Sequence, residues 1–166
     1  QLQGGFCNSG VMAIDGKVLW SLLDRVGNDN AKKEYYLTDI IELARADART
    51  CMAIEGNPDE MIGVNSRLDL AGAEAILQDR LRLQAMENGV TLTDPTTVFL
   101  SHDTKLGQDV SIGPNVFFGP GVTIGEGATV NAFCHIEGAE VLPKASIGPF
   151  ARLRPGTKVS EGAKVG

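Results

Sequence analysis

The sequence predicts a β-solenoid over its carboxyl-terminal half, preceded by a long helix and a shorter α/β segment. The solenoid prediction rests on an apolar residue that returns every six positions. One phase holds Leu100, Leu106, Ile112, Phe118, Ile124, Val130 and Ile136, and after a slip of one residue Val141, Ile147, Leu153, Val159 and Val165 continue it. A period of six fits neither a helix nor a simple hairpin, and it is typical of stacked coils whose short strands each point one residue inward.

Two further regularities support the solenoid. Glycine follows many of these markers, and a small or β-branched side chain lies two residues before most of them, as in Val110, Ala128 and Cys134. Many tight corners and few aromatic residues predict a narrow interior. Three strands make one triangular coil, so the chain from Val90 onward supplies almost four coils. Because flat-sided coils assemble side by side with closed symmetry, we expect a homotrimer.

A single long helix is predicted between the α/β segment and the hexapeptide repeats. Ser66 and Asp69 form a capping-box pattern at its start, and Asn88-Gly89 is a plausible stop. Leu70, Ala73, Leu77, Leu81 and Ala85 recur at helical spacing. A helix of this length reaches about 30 Å. We favour a connecting arm between domains, and a helix that packs along one domain is the alternative.

The first segment has an α/β pattern. The predicted elements are a strand at residues 6–14, helices at 18–26 and 37–48, and a short strand at 51–54. Asp39 is expected to cap the second helix, with Glu42 completing a capping box.

Composition excludes several classes of function. The formal charge of −6 and the lack of a basic run with interleaved aromatics argue against a nucleic-acid partner. No apolar run has membrane-spanning length. Three widely spaced cysteines form neither a disulfide framework nor a metal motif, which predicts a reducing cytoplasm. A start without methionine and an unfinished repeat at Gly166 predict a piece of a longer protein.

Several motifs, taken in order, resemble one known family. They are Cys7-Asn8-Ser9-Gly10, Glu34-Tyr35-Tyr36-Leu37-Thr38-Asp39-Ile40-Ile41, Gly63-Val64-Asn65-Ser66-Arg67-Leu68, Gly89-Val90-Thr91-Leu92-Thr93-Asp94-Pro95 and Ile147-Gly148-Pro149-Phe150-Ala151-Arg152-Leu153-Arg154-Pro155-Gly156. The family is the bifunctional enzyme that joins an N-acetylglucosamine-1-phosphate uridyltransferase to a glucosamine-1-phosphate N-acetyltransferase. The hexapeptide repeat alone is shared by many acyltransferases, whereas this order of motifs is specific.

The resemblance implies a fold and two reactions. Residues 1–66 would be the last part of a Rossmann-like nucleotidyltransferase domain, 67–89 a linker helix, and 90–166 the opening coils of a left-handed parallel β-helix. The family acetylates glucosamine-1-phosphate from acetyl-CoA and then transfers uridylyl from UTP to N-acetylglucosamine-1-phosphate with Mg²⁺. This chain lacks the family's glycine-rich nucleotide loop, its Mg²⁺-binding aspartate, its catalytic histidine and its acetyl-CoA site. We therefore expect the chain alone to be inactive.

The resemblance also implies three site residues. Asn8 matches a position that contacts UDP-N-acetylglucosamine, and Asn65 matches one that helps to bind Mg²⁺ and the same sugar nucleotide. Arg154 matches the arginine that receives the sugar phosphate in the acetyltransferase, and its planar fork suits phosphate oxygens. The structural alternatives are a strand-end or bulge residue for Asn8, a turn residue for Asn65 and a solvated surface arginine for Arg154.

Two other functions remain open from the sequence. One is a single-activity sugar-1-phosphate nucleotidyltransferase whose β-helix tail only assembles subunits. The other is a non-catalytic hexapeptide scaffold that trimerises. His102 and His135 are interpreted as surface or packing residues, and Cys134 as a core residue.

Overall fold

The computed structural model describes residues 8–166, which fall into two compact units that divide after Gly63. The second unit contains the long helix and a parallel β-solenoid. Within the described residues, no helix combines the length and the apolar character needed to cross a membrane.

The solenoid consists of thirteen short strands. In chain order they are β1 Thr91–Leu92, β2 Val98–Phe99, β3 Lys105–Leu106, β4 Ser111–Ile112, β5 Val116–Phe118, β6 Thr123–Ile124, β7 Thr129–Val130, β8 His135–Ile136, β9 Glu140–Val141, β10 Ser146–Ile147, β11 Arg152–Leu153, β12 Lys158–Val159 and β13 Lys164–Val165. Three successive strands make one coil, so β1–β12 form four coils and β13 begins the next.

Every third strand belongs to the same sheet. Sheet A has the order β1-β4-β7-β10-β13, sheet B the order β11-β8-β5-β2 and sheet C the order β12-β9-β6-β3. All pairings are parallel, and each strand lies directly over its counterpart in the next coil, as Ile112 over Val130 and Val130 over Ile147. The three-sided solenoid predicted from the period of six is therefore confirmed.

One narrow core fills the solenoid. Ten of the twelve marker residues are buried, and Leu106 and Val165 are partly buried against them. Most of the small or β-branched residues two positions earlier are buried too, including Val110, Ala128 and Cys134, and Ala163 is partly buried. Each coil contributes its apolar residues to one continuous stack, which explains why the repeat specifies the fold so directly.

The slip of one residue lies at a single corner. Between β8 and β9 the chain turns in three residues, Glu137 to Ala139, whereas four residues join β11 to β12. Gly138 sits in this short corner with a φ of +52°, and a Cβ there would lie 2.9 Å from the Cα of Pro155. Only glycine fits this close approach of two neighbouring coils.

Helix α3, Arg67–Glu87, covers the first coil. Its capping box between Ser66 and Asp69 forms as predicted, and the helix ends at Asn88. The expected apolar stripe is only partly correct, because Leu70 and Leu77 are exposed while Gln78 and Arg82 are buried. The carboxyl-terminal half of α3 packs on the solenoid, so burial follows that contact rather than the whole apolar stripe.

Residues 8–63 contain two helices, α1 Gly16–Leu23 and α2 Asp39–Ala46, and a short 3-10 turn at Pro58–Glu60. Leu22, Ile40 and Ala44 form a small core between the helices. Both helices were predicted. The capping prediction for Asp39 was wrong, because the cap position is Thr38 and no side chain there accepts a hydrogen bond.

The two predicted strands of this unit were also wrong. Residues 8–14 and 51–54 are not in strands, and residues 6 and 7 of the first prediction lie outside the described part of the chain. A strand of this kind needs a neighbour to satisfy its main-chain groups, and no strand occurs among residues 8–63. The Rossmann-like arrangement expected for this segment stays a prediction.

Candidate functional site

The Arg154 corner joins β11 to β12 in the fourth coil. Arg154 directly follows the inward-pointing Leu153, and the chain turns at Arg154. The Arg154 side chain is therefore exposed at a corner of the three-sided solenoid. The corner is held by main-chain bonds: Thr157 N donates to the Arg154 carbonyl at 3.0 Å, and Gly156 N donates to Gly138 O at 2.8 Å. A rigid corner therefore presents the guanidinium, as the sequence predicted.

The guanidinium of Arg154 is available for an anion. Among residues 8–166 it makes no ion pair or side-chain hydrogen bond with another residue. The nearby ammonium of Lys158 is already paired with Glu140 at 2.9 Å. An exposed arginine with a free fork can offer two parallel donors to a phosphate.

Glu137 is the acidic residue that could form an ion pair with the Arg154 guanidinium. It occupies the position equivalent to Arg154 in the third coil, since its main-chain N donates to the Leu153 carbonyl at 3.1 Å. Its side chain lies beside Gly119 of the second coil, and among residues 8–166 it forms no ion pair with Arg154. A Cβ on Gly119 would lie only 3.0 Å from the Glu137 Cγ, so the absence of a side chain at Gly119 makes room for the Glu137 side chain.

Asn65 lies immediately before α3 and is exposed. Its main-chain N donates to the Asp69 Oδ2 at 3.1 Å, and Ser66 donates to the same oxygen through its N at 2.9 Å and its Oγ at 2.8 Å. These bonds, with that of the Ser66 hydroxyl first, hold the pKa of Asp69 below its ordinary value. Asn65 therefore stands at a helix start, where the turn-residue alternative also places it.

The residues around Asn65 offer few of the oxygen ligands that a magnesium ion needs. Mg²⁺ prefers several oxygen ligands in octahedral geometry, commonly with carboxylates among them. Asn65 offers one amide oxygen, and the Oδ2 atom of the nearby Asp69 carboxylate accepts the three capping bonds. The described part of the chain holds no group of three or more His, Cys, Asp or Glu side chains placed for a metal.

Asn8 is exposed, and its Oδ1 accepts a hydrogen bond from Gly10 N at 2.9 Å. Asn8 therefore lies in a local turn, with Gly10 at a φ of +79°. The structural alternative of a strand-end or bulge residue was wrong, because residues 8–14 are not in a strand. Asn8 belongs to the first unit, whereas Asn65 and Arg154 belong to the second, at the start of α3 and in the fourth coil. The three predicted site residues thus lie on three separate elements.

The two histidines lie on the surface and Cys134 lies in the core. His102 and His135 are both exposed, and the His135 ring stacks on Phe117. Cys134 is buried, and burial raises the pKa of its thiol. Sequence reasoning missed Glu137 and Gly119, although their places beside and below Arg154 can be read from the hexapeptide register.

Comparison with known proteins agrees with this solenoid. Residues 103–138 match the family described as bacterial transferase hexapeptide (six repeats). The chain is 67% identical over 141 residues to the bifunctional protein GlmU of Rhodospirillum rubrum, which covers 85% of this chain and 32% of that protein. The expected resemblance is confirmed: this chain matches a stretch of GlmU.

Other GlmU proteins match the chain over a similar length at lower identity. That of Paramagnetospirillum magneticum is 57% identical over 85% of this chain and 31% of its own length. That of Brucella anthropi is 56% identical over 87% of this chain and 32% of its own length. The chain therefore spans about a third of the length of the curated relatives that it matches.

Proposed function

We propose that this chain is a segment of a bifunctional transferase of UDP-N-acetylglucosamine synthesis. The enzyme would acetylate glucosamine-1-phosphate from acetyl-CoA and then transfer uridylyl from UTP to N-acetylglucosamine-1-phosphate. The observation that carries the proposal is the unpaired Arg154 guanidinium on a rigid corner of a hexapeptide solenoid. The similarity to proteins named bifunctional protein GlmU supports it.

In the acetylation reaction Arg154 would bind the phosphate of glucosamine-1-phosphate. A phosphate at this corner would be oriented by the guanidinium fork, which places the sugar amine in a fixed direction. The general-base histidine of the family falls on neither His102 nor His135. The chain would thus contribute the phosphate-binding residue, and the acetyl-CoA site would lie in another part of the enzyme.

In the uridylyl transfer Asn8 and Asn65 would contact the sugar nucleotide. An amide can donate to one sugar oxygen and accept from another, which suits a ligand rich in hydroxyl groups. Mg²⁺ would neutralise phosphate charge in this reaction, with Asn65 as one ligand beside a carboxylate that this chain does not supply. The chain alone should bind Mg²⁺ weakly and should catalyse neither reaction.

The proposal also states that the solenoid is left-handed and that α3 links two domains. It further states that the protein is a homotrimer in the cytoplasm. The regular stacked coils with flat sides support side-by-side assembly.

The test is Arg154→Ala in the full-length enzyme that contains this segment. The KM for glucosamine-1-phosphate should rise about tenfold or more, because a charge-assisted phosphate contact contributes roughly 1.5–3 kcal/mol. Arg152→Ala is the matched control, since Arg152 is an exposed arginine of the preceding strand. Uridylyl transfer should be unchanged in both variants. An unchanged KM in Arg154→Ala would remove this residue from the site.

A further inference from the structure

An ion pair joins the third and fourth coils on the outward face of sheet C. The Lys158 Nζ lies 2.9 Å from the Glu140 Oε2, and the two residues are directly opposite each other in β12 and β9. Their side chains are 63% and 49% exposed. Among the described residues of the solenoid, no other ion pair joins two coils. Because both charges remain in contact with water, the pair is weak and can exchange partners.

This ion pair lies at the turn that carries Arg154. Thr157 N donates to the Arg154 carbonyl at 3.0 Å, which closes a four-residue turn, and Lys158 is the next residue. The Cα atoms at the two ends of such a turn are less than about 7 Å apart. Glu140 N donates to the Thr157 carbonyl at 2.9 Å, so Glu140 contacts the same turn from the third coil. Two cations and one carboxylate therefore lie at a single turn.

The charges at this corner change sign between the third coil and the fourth. Two equivalent positions can be compared in each coil: the residue after the inward marker of sheet B, and the outward residue of the sheet C strand that follows. In the third coil both are acidic, Glu137 and Glu140, and in the fourth both are cationic, Arg154 and Lys158. In the first two coils only Lys105 is charged. The fourth coil is thus the one described coil with two cations at this corner.

We propose that Lys158 is a second phosphate-binding residue of the acetyltransferase site and that Glu140 competes with the substrate for it. This role rests on the proposed function, in which Arg154 binds the phosphate of glucosamine-1-phosphate. A phosphate monoester has a charge of about −1.5 to −2 at pH 7 and three acceptor oxygens. The planar fork of Arg154 suits two of these oxygens, and the compact ammonium of Lys158 suits the third.

Substrate binding then exchanges one ion pair for another. Without substrate, Glu140 holds the Lys158 ammonium beside the turn. The phosphate attracts this ammonium more strongly than the carboxylate does, because the phosphate carries more negative charge. Lys158 moves to the phosphate, and the carboxylate of Glu140, already half exposed, becomes fully hydrated. Glu140 therefore reduces the affinity of the site for phosphate, whereas Lys158 increases it.

The two partners of the ion pair should have opposite effects on the KM for glucosamine-1-phosphate. In the full-length enzyme that contains this segment, Lys158→Met should raise this KM about two- to fivefold, the range of an exposed charge contact. Glu140→Gln should lower it about twofold, since Lys158 is then free for the phosphate. Both variants should keep kcat nearly unchanged. Because both break the same ion pair, a purely structural role would shift the KM in one direction.

Inorganic phosphate tests the contact without the sugar. As a competitive inhibitor against glucosamine-1-phosphate, it should bind more weakly to Lys158→Met and more tightly to Glu140→Gln. Lys105→Met is the matched control, because Lys105 has the same outward position on sheet C, three coils away, and its loss changes the formal charge equally. The control should match the wild type in both its KM and its inhibition by phosphate.

Three results would overturn the role of Lys158: an unchanged KM in Lys158→Met, shifts of the same sign in Lys158→Met and Glu140→Gln, or an equal shift in Lys105→Met. The KM of Arg154→Ala separates this outcome from a failure of the proposed function. If Arg154→Ala raises the KM and Lys158→Met does not, Arg154 binds the phosphate without Lys158. If neither variant changes the KM, the phosphate site itself is wrong.

Discussion

Gln78 pairs with the main chain of Leu100 as a neighbouring strand would. Its Nε2 donates to the Leu100 carbonyl at 2.7 Å, and its Oε1 accepts from Leu100 N at 2.9 Å. Arg82 donates through its Nε to the Val98 carbonyl at 2.8 Å. The first coil has no coil before it, so its edge would otherwise leave these groups unpaired. Two side chains of α3 thus close one end of sheet B.

Replacing Gln78 should destabilise the solenoid from this end. Gln78→Ala would leave the N–H and the C=O of Leu100 without partners, which costs about 1–3 kcal/mol when such groups are buried. The measurement is the free energy of urea unfolding, together with hydrogen exchange at the Leu100 amide. Exchange there should accelerate more than at amides of the fourth coil.

Gln84→Ala is the matched control, because Gln84 lies on the same helix and is exposed. Its unfolding free energy should match that of the wild type. Equal effects of the two variants would mean that the Gln78 side chain does not close the sheet.

Gly148 should be intolerant of any side chain. A Cβ at this residue would lie 2.3 Å from the Cys134 Sγ, and its φ is +78°. Gly148→Ala should therefore lower the unfolding free energy by about 2–4 kcal/mol, the sum of overpacking and left-handed strain. Thermal or urea unfolding checks this, and adding Cys134→Ala should recover part of the loss because it removes the clashing sulfur.

Gly156→Ala separates the two causes. Gly156 has a similar φ of +86°, but no atom lies within 4 Å of the Cβ position. This variant should lose only the conformational part, about 1–2 kcal/mol. If Gly148→Ala costs no more than Gly156→Ala, the contact with Cys134 is not limiting.

The hexapeptide period predicted the solenoid almost residue by residue, because each marker has one inward direction and one place in a linear stack. The hexapeptide period could not predict that Gln78 and Arg82 are buried, because both residues lie on α3, outside the repeats. Both are polar residues on a helix, and their burial depends on hydrogen bonds to the carbonyls of Leu100 and Val98, which follow them by 22 and 16 residues. Hydrophobic spacing contains no information about such partners.

Prediction was weakest in residues 8–63. The strands expected at 8–14 and 51–54 rested on local composition, and strand formation depends on a neighbouring strand that local composition does not specify. The helices α1 and α2 were predictable because their hydrogen bonds lie within the segment. For the site, the corner position of Arg154 followed from the period, whereas the orientation of Glu137 depends on the space beside Gly119.

The start of α3 should be sensitive to acid. The capping bonds hold the pKa of Asp69 below its ordinary value of 3.8, so folding favours the charged carboxylate. This contribution is fully present above 3.8 and is lost as the pH falls through the lower pKa of the folded state. Asp69→Asn should reduce helicity by circular dichroism at neutral pH, and the difference from the wild type should shrink in acid. A difference that stays constant with pH would contradict the assignment to Asp69.

Gly119 should support the phosphate binding that we propose for Arg154. A Cβ at Gly119 would displace the Glu137 side chain, since it would lie 3.0 Å from Cγ. The Arg154 guanidinium, one coil further along, would attract the displaced carboxylate. An exposed ion pair contributes about 0.2–1 kcal/mol, so Gly119→Ala in the full-length enzyme should raise the KM for glucosamine-1-phosphate up to about fivefold with little change in kcat.

The charge of Glu137 provides the control. Glu137→Gln alone should leave the KM unchanged or slightly lower, because the amide cannot form an ion pair with Arg154. The double variant Gly119→Ala with Glu137→Gln should regain the wild-type KM, since the displaced side chain is then neutral while its size is the same. A double variant as impaired as Gly119→Ala would show that the added methyl group distorts the corner itself. The electrostatic role of Glu137 would then be wrong, and Arg154→Ala would remain the direct measure of phosphate binding.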